Sequence, residues 1–176
     1  MADDVVLRDG THALVWPVLP TDREGLAEGY RRLDAESRYQ RFLSSVPQLS
    51  QKMLDHLVDD VDGVDHVALV MIAFDEEWHS SAAGVARMIR YRADPAAADV
   101  AVTVTPAFRG RGAATALLRE LLVRRPRGVE RIVTEVAVDN KASIRMLQRL
   151  GPATVEPAGP GAFEVTVELP PPDQDQ

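Results

Sequence analysis

Arg109-Gly110-Arg111-Gly112-Ala113-Ala114 is the stretch on which the reading of this chain turns. A β-like run precedes it, Asp99 to Thr105, with Val100, Val102 and Val104 on one face. A helix over about 113–125 follows, with Ala114, Leu117, Leu118, Leu121 and Leu122 as its buried stripe. A glycine-rich turn between strand and helix leaves successive backbone N–H groups unpaired and aims them at one point. The helix dipole adds about half a positive charge there, which suits a phosphate or pyrophosphate. A tight strand-to-helix turn with no ligand fits the turn alone equally well. Gly112-Ala113-Ala114 lacks the Gly-Lys-Ser/Thr ending of a P-loop, and Thr115 stands where a dinucleotide fingerprint wants its third glycine.

Working outward, Val5-Val6-Leu7 and Ala13 to Trp16 read as two short strands around an Asp9-Gly10 turn. Thr21 to Glu24 reads as a capping box opening a helix with Leu26, Tyr30 and Leu33 at helical spacing. Further helices are expected over 37–43 and from Ser50, where Met53, Leu54 and Leu57 recur. His66 to Phe74, Ala83 to Tyr91 and Asp99 to Thr105, joined by short polar segments, predict an antiparallel meander. Past the glycine-rich turn come a strand at 132–138, a helix opened by Asn140 and stopped by Gly151, and a strand at 163–169. The order predicts an α+β (mixed α/β) single domain over 1–169, with a disordered tail over 170–176.

The 176 residues suit one core, and 45% hydrophobic with 27% charged residues is ordinary globular composition. Cysteine is absent, which excludes disulfides, zinc-thiolate sites and a cysteine nucleophile. His12, His56, His66 and His79 show no metal-ligand spacing, so no metal is expected. A net charge of −7 argues against nucleic acid as a partner and favours a cationic one such as an amine. No run reaches ~18 apolar residues and no basic-then-apolar leader opens the chain, so the expectation is a cytoplasmic protein without a membrane partner.

The segment Val104-Thr105-Pro106-Ala107-Phe108-Arg109-Gly110-Arg111-Gly112-Ala113-Ala114 resembles the acyl-CoA signature of the GNAT N-acetyltransferases, Gln/Arg-x-x-Gly-x-Gly/Ala, with Arg109, Gly112 and Ala114 at its defining positions. Glu135 to Asn140, then Ala142-Ser143-Ile144 and Arg149-Leu150-Gly151, resembles the family's second signature. Ser37 to Phe42, His66 to Val70, Gly84 to Arg87 and Ala98-Asp99-Val100-Ala101 are similar to GNAT domains of bacterial protein lysine acetyltransferases, which often carry Ala-Glu-Val-Ala at the last of these. The chain shows no segment like the cyclic-nucleotide or synthetase-like domain that often accompanies those enzymes, which counts against a regulated lysine acetyltransferase.

The resemblance implies a mostly antiparallel, centrally splayed sheet flanked by helices, and acetyl-CoA as co-substrate. It implies that the backbone of Val102, Thr103 and Val104 pairs with the pantetheine arm, and that the turn (Arg109, Gly110, Arg111, Gly112, Ala113, Ala114, Thr115) holds the pyrophosphate. Asn140 would contact the pantetheine region, cap its helix, or do both. Acetyl transfer to an amine needs a proton acceptor, and Asp99 and Glu135 are the candidates, with Asp99 favoured. An outward-facing, salt-bridged strand carboxylate is the alternative for each. Tyr39, Arg41 and Phe42 are candidates to line the acceptor site between the front helices and the meander, or to pack helices. Leu147 stands where many GNAT enzymes carry a tyrosine that protonates the leaving thiolate. Two functions follow: an N-acetyltransferase acting on a protein lysine, an N-terminus or a small metabolite amine, or a non-catalytic acyl-CoA-binding sensor or partner module. The resemblance suits a monomer or a homodimer.

Overall fold

The computed structural model describes residues 2–43 and 46–171, the side chain of Phe42 excepted. Its strands are β1 (Asp3–Val6), β2 (His12–Pro17), β3 (His66–Phe74), β4 (Ser80–Arg90), β5 (Ala97–Val104), β6 (Arg131–Ala137), β7 (Ala153–Pro157) and β8 (Ala162–Glu168). Its helices are α1 (Arg23–Arg31), α2 (Ala35–Phe42), α3 (Gln51–Val58), α4 (Ala113–Val123) and α5 (Lys141–Gln148). The strands form one sheet in the order β1-β2-β3-β4-β5-β6-β8-β7. Every neighbouring pair is antiparallel except β5 with β6. The α+β architecture and the β3–β4–β5 meander are as expected.

Alternation along the strands sends two sets of side chains to opposite faces. Leu69 and Met71 of β3, Ala86 and Met88 of β4 and Val100 of β5 bury against Leu117, Leu118 and Leu121 of α4. On the other face Ala68, Val70 and Val85 pack with Leu57 and Val58 of α3 and Leu26 of α1. Residues of β5 that alternate with Val100 (Asp99, Ala101 and Thr103) therefore face the α1–α3 side.

The parallel pair is where the sheet opens. β5 and β6 are in register only at Ala97–Arg131 and Ala98–Ile132, and beyond Ala98 they part. The Val100 carbonyl faces this gap, where it accepts a hydrogen bond from Thr134 Oγ1 at 3.0 Å.

Three sequence expectations need correction. The capping box at Thr21–Glu24 does not form: α1 starts at Arg23, one residue after Asp22, whose carboxylate instead accepts from the Leu19 N–H at 2.9 Å and Trp16 Nε1 at 3.3 Å. Gly151 is not a left-handed helix stop. It is glycine because a Cβ there would sit 2.0 Å from the Glu168 carbonyl oxygen, where the chain passes under β8. Finally, the sequence reading has no counterpart of β7, whose five residues, Ala153 to Pro157, are held as a strand by pairing with β8 and not by a pattern of their own. The expected tail falls mostly on 172–176, outside the described residues.

Candidate functional site

Gly110 and Gly112 adopt φ of +72° and +93°, a region open to glycine and costly for residues with a Cβ. Gly112 is the N-cap of α4, and its carbonyl takes the first helical bond, from Ala116 N–H at 3.0 Å. The N–H groups of Gly110, Gly112, Ala113, Ala114 and Thr115 have no acceptor among the described residues. They stand at a helix N-terminus, which is an anion site by geometry and dipole alike.

The side chains of this turn's arginines are engaged within the protein. Arg109 pairs with Asp34 at 2.8 Å and donates to Ser37 Oγ, tying the turn to the start of α2. Arg111 pairs with Asp9, donates to Thr11 Oγ1 and lies over the Phe108 ring. The Asp9 carboxyl is held down to about 2, chiefly by that Arg111 hydrogen bond. Arg8, which the sequence did not single out, orients the peptide planes. Its N–H donates to the Arg111 carbonyl at 3.0 Å and its guanidinium to the Gly110 carbonyl at 2.7 Å. Those carbonyls therefore turn toward Arg8, which leaves the Gly112 amide to the open side, while the Arg111 amide donates to the Phe108 carbonyl at 3.4 Å.

From the turn a cleft of about 830 Å³ runs along the parted edges of β5 and β6. Val102, Thr103, Val104, Asn140, Asp99 and Glu135 all line it. Since Val100 presents its carbonyl to the gap, alternation points the backbone of Val102 and Val104 the same way. The Thr103 carbonyl approaches Gly84 of β4 instead: a Cβ on Gly84 would meet it at 2.7 Å. Asn140 caps α5, its Oδ1 accepting from Ser143 N–H at 3.1 Å.

Asp99 is half-buried at the far end of the cleft and Glu135 is exposed. Thr134 Oγ1 lies 2.7 Å from Asp99 Oδ1. Burial pushes the Asp99 carboxyl above the usual carboxylate range, against the lowering effects of Thr134 and the Arg41 charge. Tyr91, also missed, lines the same end with its hydroxyl donating to the Val133 carbonyl at 3.0 Å. Burial first, then the charges of Asp99, Glu164 and Glu135, push its phenol up to about 12.

Among the acceptor-site candidates, Arg41 lines the cleft and Tyr39 does not. Tyr39 is exposed, with its hydroxyl near Gly161 in the β7–β8 turn. The side chain of Phe42 lies outside the described residues. Leu147 is buried on the inner side of α5, so the position is used for packing. Arg145 and Arg149 line the cleft with no ion pair among the described residues, placing positive charge there within an acidic chain.

The family model for the acetyltransferase (GNAT) family matches residues 29–151. This chain belongs to the GNAT acetyltransferase family. Within the GNAT family it is similar to acetyltransferase Pat of Mycolicibacterium smegmatis, 32% identical over 170 residues that cover 96% of this chain and 49% of Pat. The chain thus spans about half the length of that relative. It is 29% identical to acetyltransferase PA5475 of Pseudomonas aeruginosa over 82% of this chain and 77% of that one. The crystal structure of the GNAT domain of S. lividans PAT superimposes with a TM-score of 0.82 at 32% identity, over 96% of this chain and 97% of that domain. The glycine-rich turn and the parted strands both lie inside the GNAT match.

Proposed function

We propose that the chain is an acetyl-CoA-dependent N-acetyltransferase acting on a primary amine by direct transfer. The observation that carries this reading is one continuous cleft with unpaired helix-start amides at one end and a half-buried carboxylate at the other. The unpaired amides of Gly110 and of Gly112 to Thr115 suit a pyrophosphate, and the gap-facing backbone of Val102 and Val104 suits an extended amide-bearing arm added like a strand. Glycine at 112 supplies the positive φ that the turn needs and leaves room for the close approach of Arg8 behind it.

In the transfer the amine nitrogen bonds to the acetyl carbonyl carbon, the C–S bond breaks, and CoA leaves as thiolate. The nitrogen must shed a proton, and Asp99 accepts it directly or through a water. A carboxyl raised by burial holds that proton better at neutral pH than an exposed one does. Glu135 is the less favourable base because it is exposed. With Leu147 buried and apolar, water protonates the thiolate, which is a fair leaving group without help.

Calorimetry with CoA, ATP and NAD, followed by thiol release from acetyl-CoA over a mixed amine and peptide library, tests the reading. Selective CoA binding with acceptor-dependent thiol release is expected. Binding without acceptor-dependent release would leave only a CoA-binding module.

A further inference from the structure

A second cavity, of about 140 Å³, lies on the other face of β5, between α1, α3 and the meander. Its walls are apolar: Leu26, Leu33, Leu49, Leu57, Val70 and Val85. An apolar cavity of about 150 Å³ takes a benzene-sized group, so the volume suits one apolar side chain. Ala101, Thr103 and Arg41 line both this cavity and the cleft, so the two meet across β5 beside Ala101 and Thr103, with Asp99 next along the same face.

Three charged residues, Asp22, Arg41 and Arg87, interrupt this wall. Arg87 is only 4% exposed, and among the described residues no carboxylate pairs with it. Its guanidinium donates to His66 Nε2 at 3.0 Å and to the Leu57 carbonyl at 3.3 Å, leaving other N–H groups without an acceptor among the described residues. Burial, and then the neighbouring charge of Arg41, hold its pKa down to about 9. A buried cation facing a second cation is costly until an anion arrives. The one acid in the cavity wall, Asp22, is already engaged by Trp16 Nε1 and the Leu19 N–H.

Register makes Arg87 a near neighbour of Asp99 in the sheet, while its hydrogen bonds hold the guanidinium on the side of His66 in β3 and Leu57 in α3. Arg87 pairs with Ala101 and Ile89 with Asp99, so Arg87 and Asp99 are diagonal neighbours on one face of the sheet. Such neighbours are roughly 7–8 Å apart at Cα, within the reach of an arginine and a small molecule between them.

We infer that this cavity is the acceptor subsite and that it takes a small α-amino acid: the carboxylate on Arg87 beside Arg41, the apolar side chain in the cavity, and the amine toward Asp99. The inference rests on the proposed acetyl transfer and narrows its acceptor. The bond changes are those of that transfer, with the amine proton passing to Asp99 and the thiolate leaving.

The test uses the full chain, acetyl-CoA and matched acceptors: phenylalanine with phenylalaninamide, leucine with leucinamide, and a lysine peptide with blocked ends. The carboxylates are expected to exceed their amides by about tenfold or more in kcat/KM, as a charge-assisted hydrogen bond would give. The amide's amine is the less basic, so free-amine supply favours the amide and cannot create this preference. Arg87→Gln should bring the ratio close to one. Equal or better use of the amides, or a lysine peptide that outruns every carboxylate, overturns the inference while leaving acetyl transfer intact. Because Arg87 also holds Leu57 and His66, Arg87→Gln is first checked for folding. If it does not fold, the native chain decides: with CoA present, phenylalanine but not phenylalaninamide should raise Tm. Absence of that rise overturns the subsite. A rise with no thiol release from any amine keeps the subsite and removes the transferase reading.

Discussion

Thr134 Oγ1 stands between two acceptors, Asp99 Oδ1 at 2.7 Å and the Val100 carbonyl at 3.0 Å, with a single proton to give. If Asp99 is ionised, the two acceptors compete for that proton. If Asp99 carries a proton, it donates to Oγ1 and Thr134 donates on to Val100. The hydroxyl therefore serves Asp99 in both states, at the point where β5 and β6 part. Thr134→Val removes the largest of the effects that lower the Asp99 pKa, leaving the Arg41 charge and the Val100 backbone to oppose burial, so the pKa rises. The acid limb of a kcat/KM–pH profile should move to higher pH, and Thr134→Ser should restore it. An unmoved limb would detach Thr134 from the proton path.

Asp99→Asn keeps the shape of the side chain and removes its ability to hold a proton. General-base contributions are typically 10²–10⁴-fold, so kcat/KM at neutral pH should fall by about that factor, with a smaller deficit at high pH. CoA affinity should be unchanged. Glu135→Gln should be nearly silent, as befits an exposed carboxylate. The reverse ranking would move the proton route to β6.

Residues 99–151 were the most legible part of the chain because local rules govern them. The glycines announce a turn, the leucine stripe announces α4, and Asn140 announces a cap, all within a few residues of the feature described. The site's other members were illegible because long-range pairing places them. Arg8 reaches Gly110 across 102 residues and Thr134 reaches Asp99 across 35. Arg87 is buried by α3, whose Leu57 carbonyl it meets across 30 residues, a contact that no local pattern signals. Tyr39 illustrates the opposite failure: it shares α2 with Arg41, but helical rotation carries it toward Gly161 instead of the cleft.

Gly112 and Gly128 separate backbone strain from ligand access. Both have positive φ, +93° and +89°, so alanine at either should cost about 1–2 kcal/mol in thermal or denaturant unfolding. A Cβ on Gly112 would also lie 3.3 Å from Arg8 Cβ, pressing on the residue that orients the turn, whereas one on Gly128 meets nothing within 4 Å. Gly112→Ala should weaken CoA binding in calorimetry and Gly128→Ala should leave it unchanged. Equal affinities for both variants would remove the turn from the CoA site.

His66 should make the fold acid-sensitive in a defined window. It is 5% exposed, and its Nε2 accepts from Arg87, which requires the neutral ring with its proton on Nδ1. Burial, then the charges of Arg87 and His56, bring its pKa from 6.5 down to about 4. Between those values the unfolded chain binds a proton that the folded chain refuses, so stability falls as pH falls from 6.5 and the loss is complete near 4. The full span is worth about 3 kcal/mol. Asp99, raised rather than lowered, works in the opposite sense and offsets part of the loss at the acid end. Asp62 and Asp75, both held low by backbone hydrogen bonds, add their own losses only below their ordinary 3.8. Urea unfolding at a series of pH values should therefore show a slope across 4–6.5 in the native chain. His66→Gln keeps an acceptor available to Arg87 without a titrating ring, and its stability should be nearly flat over that window. A variant with the same slope as the native chain would assign the acid sensitivity to other groups.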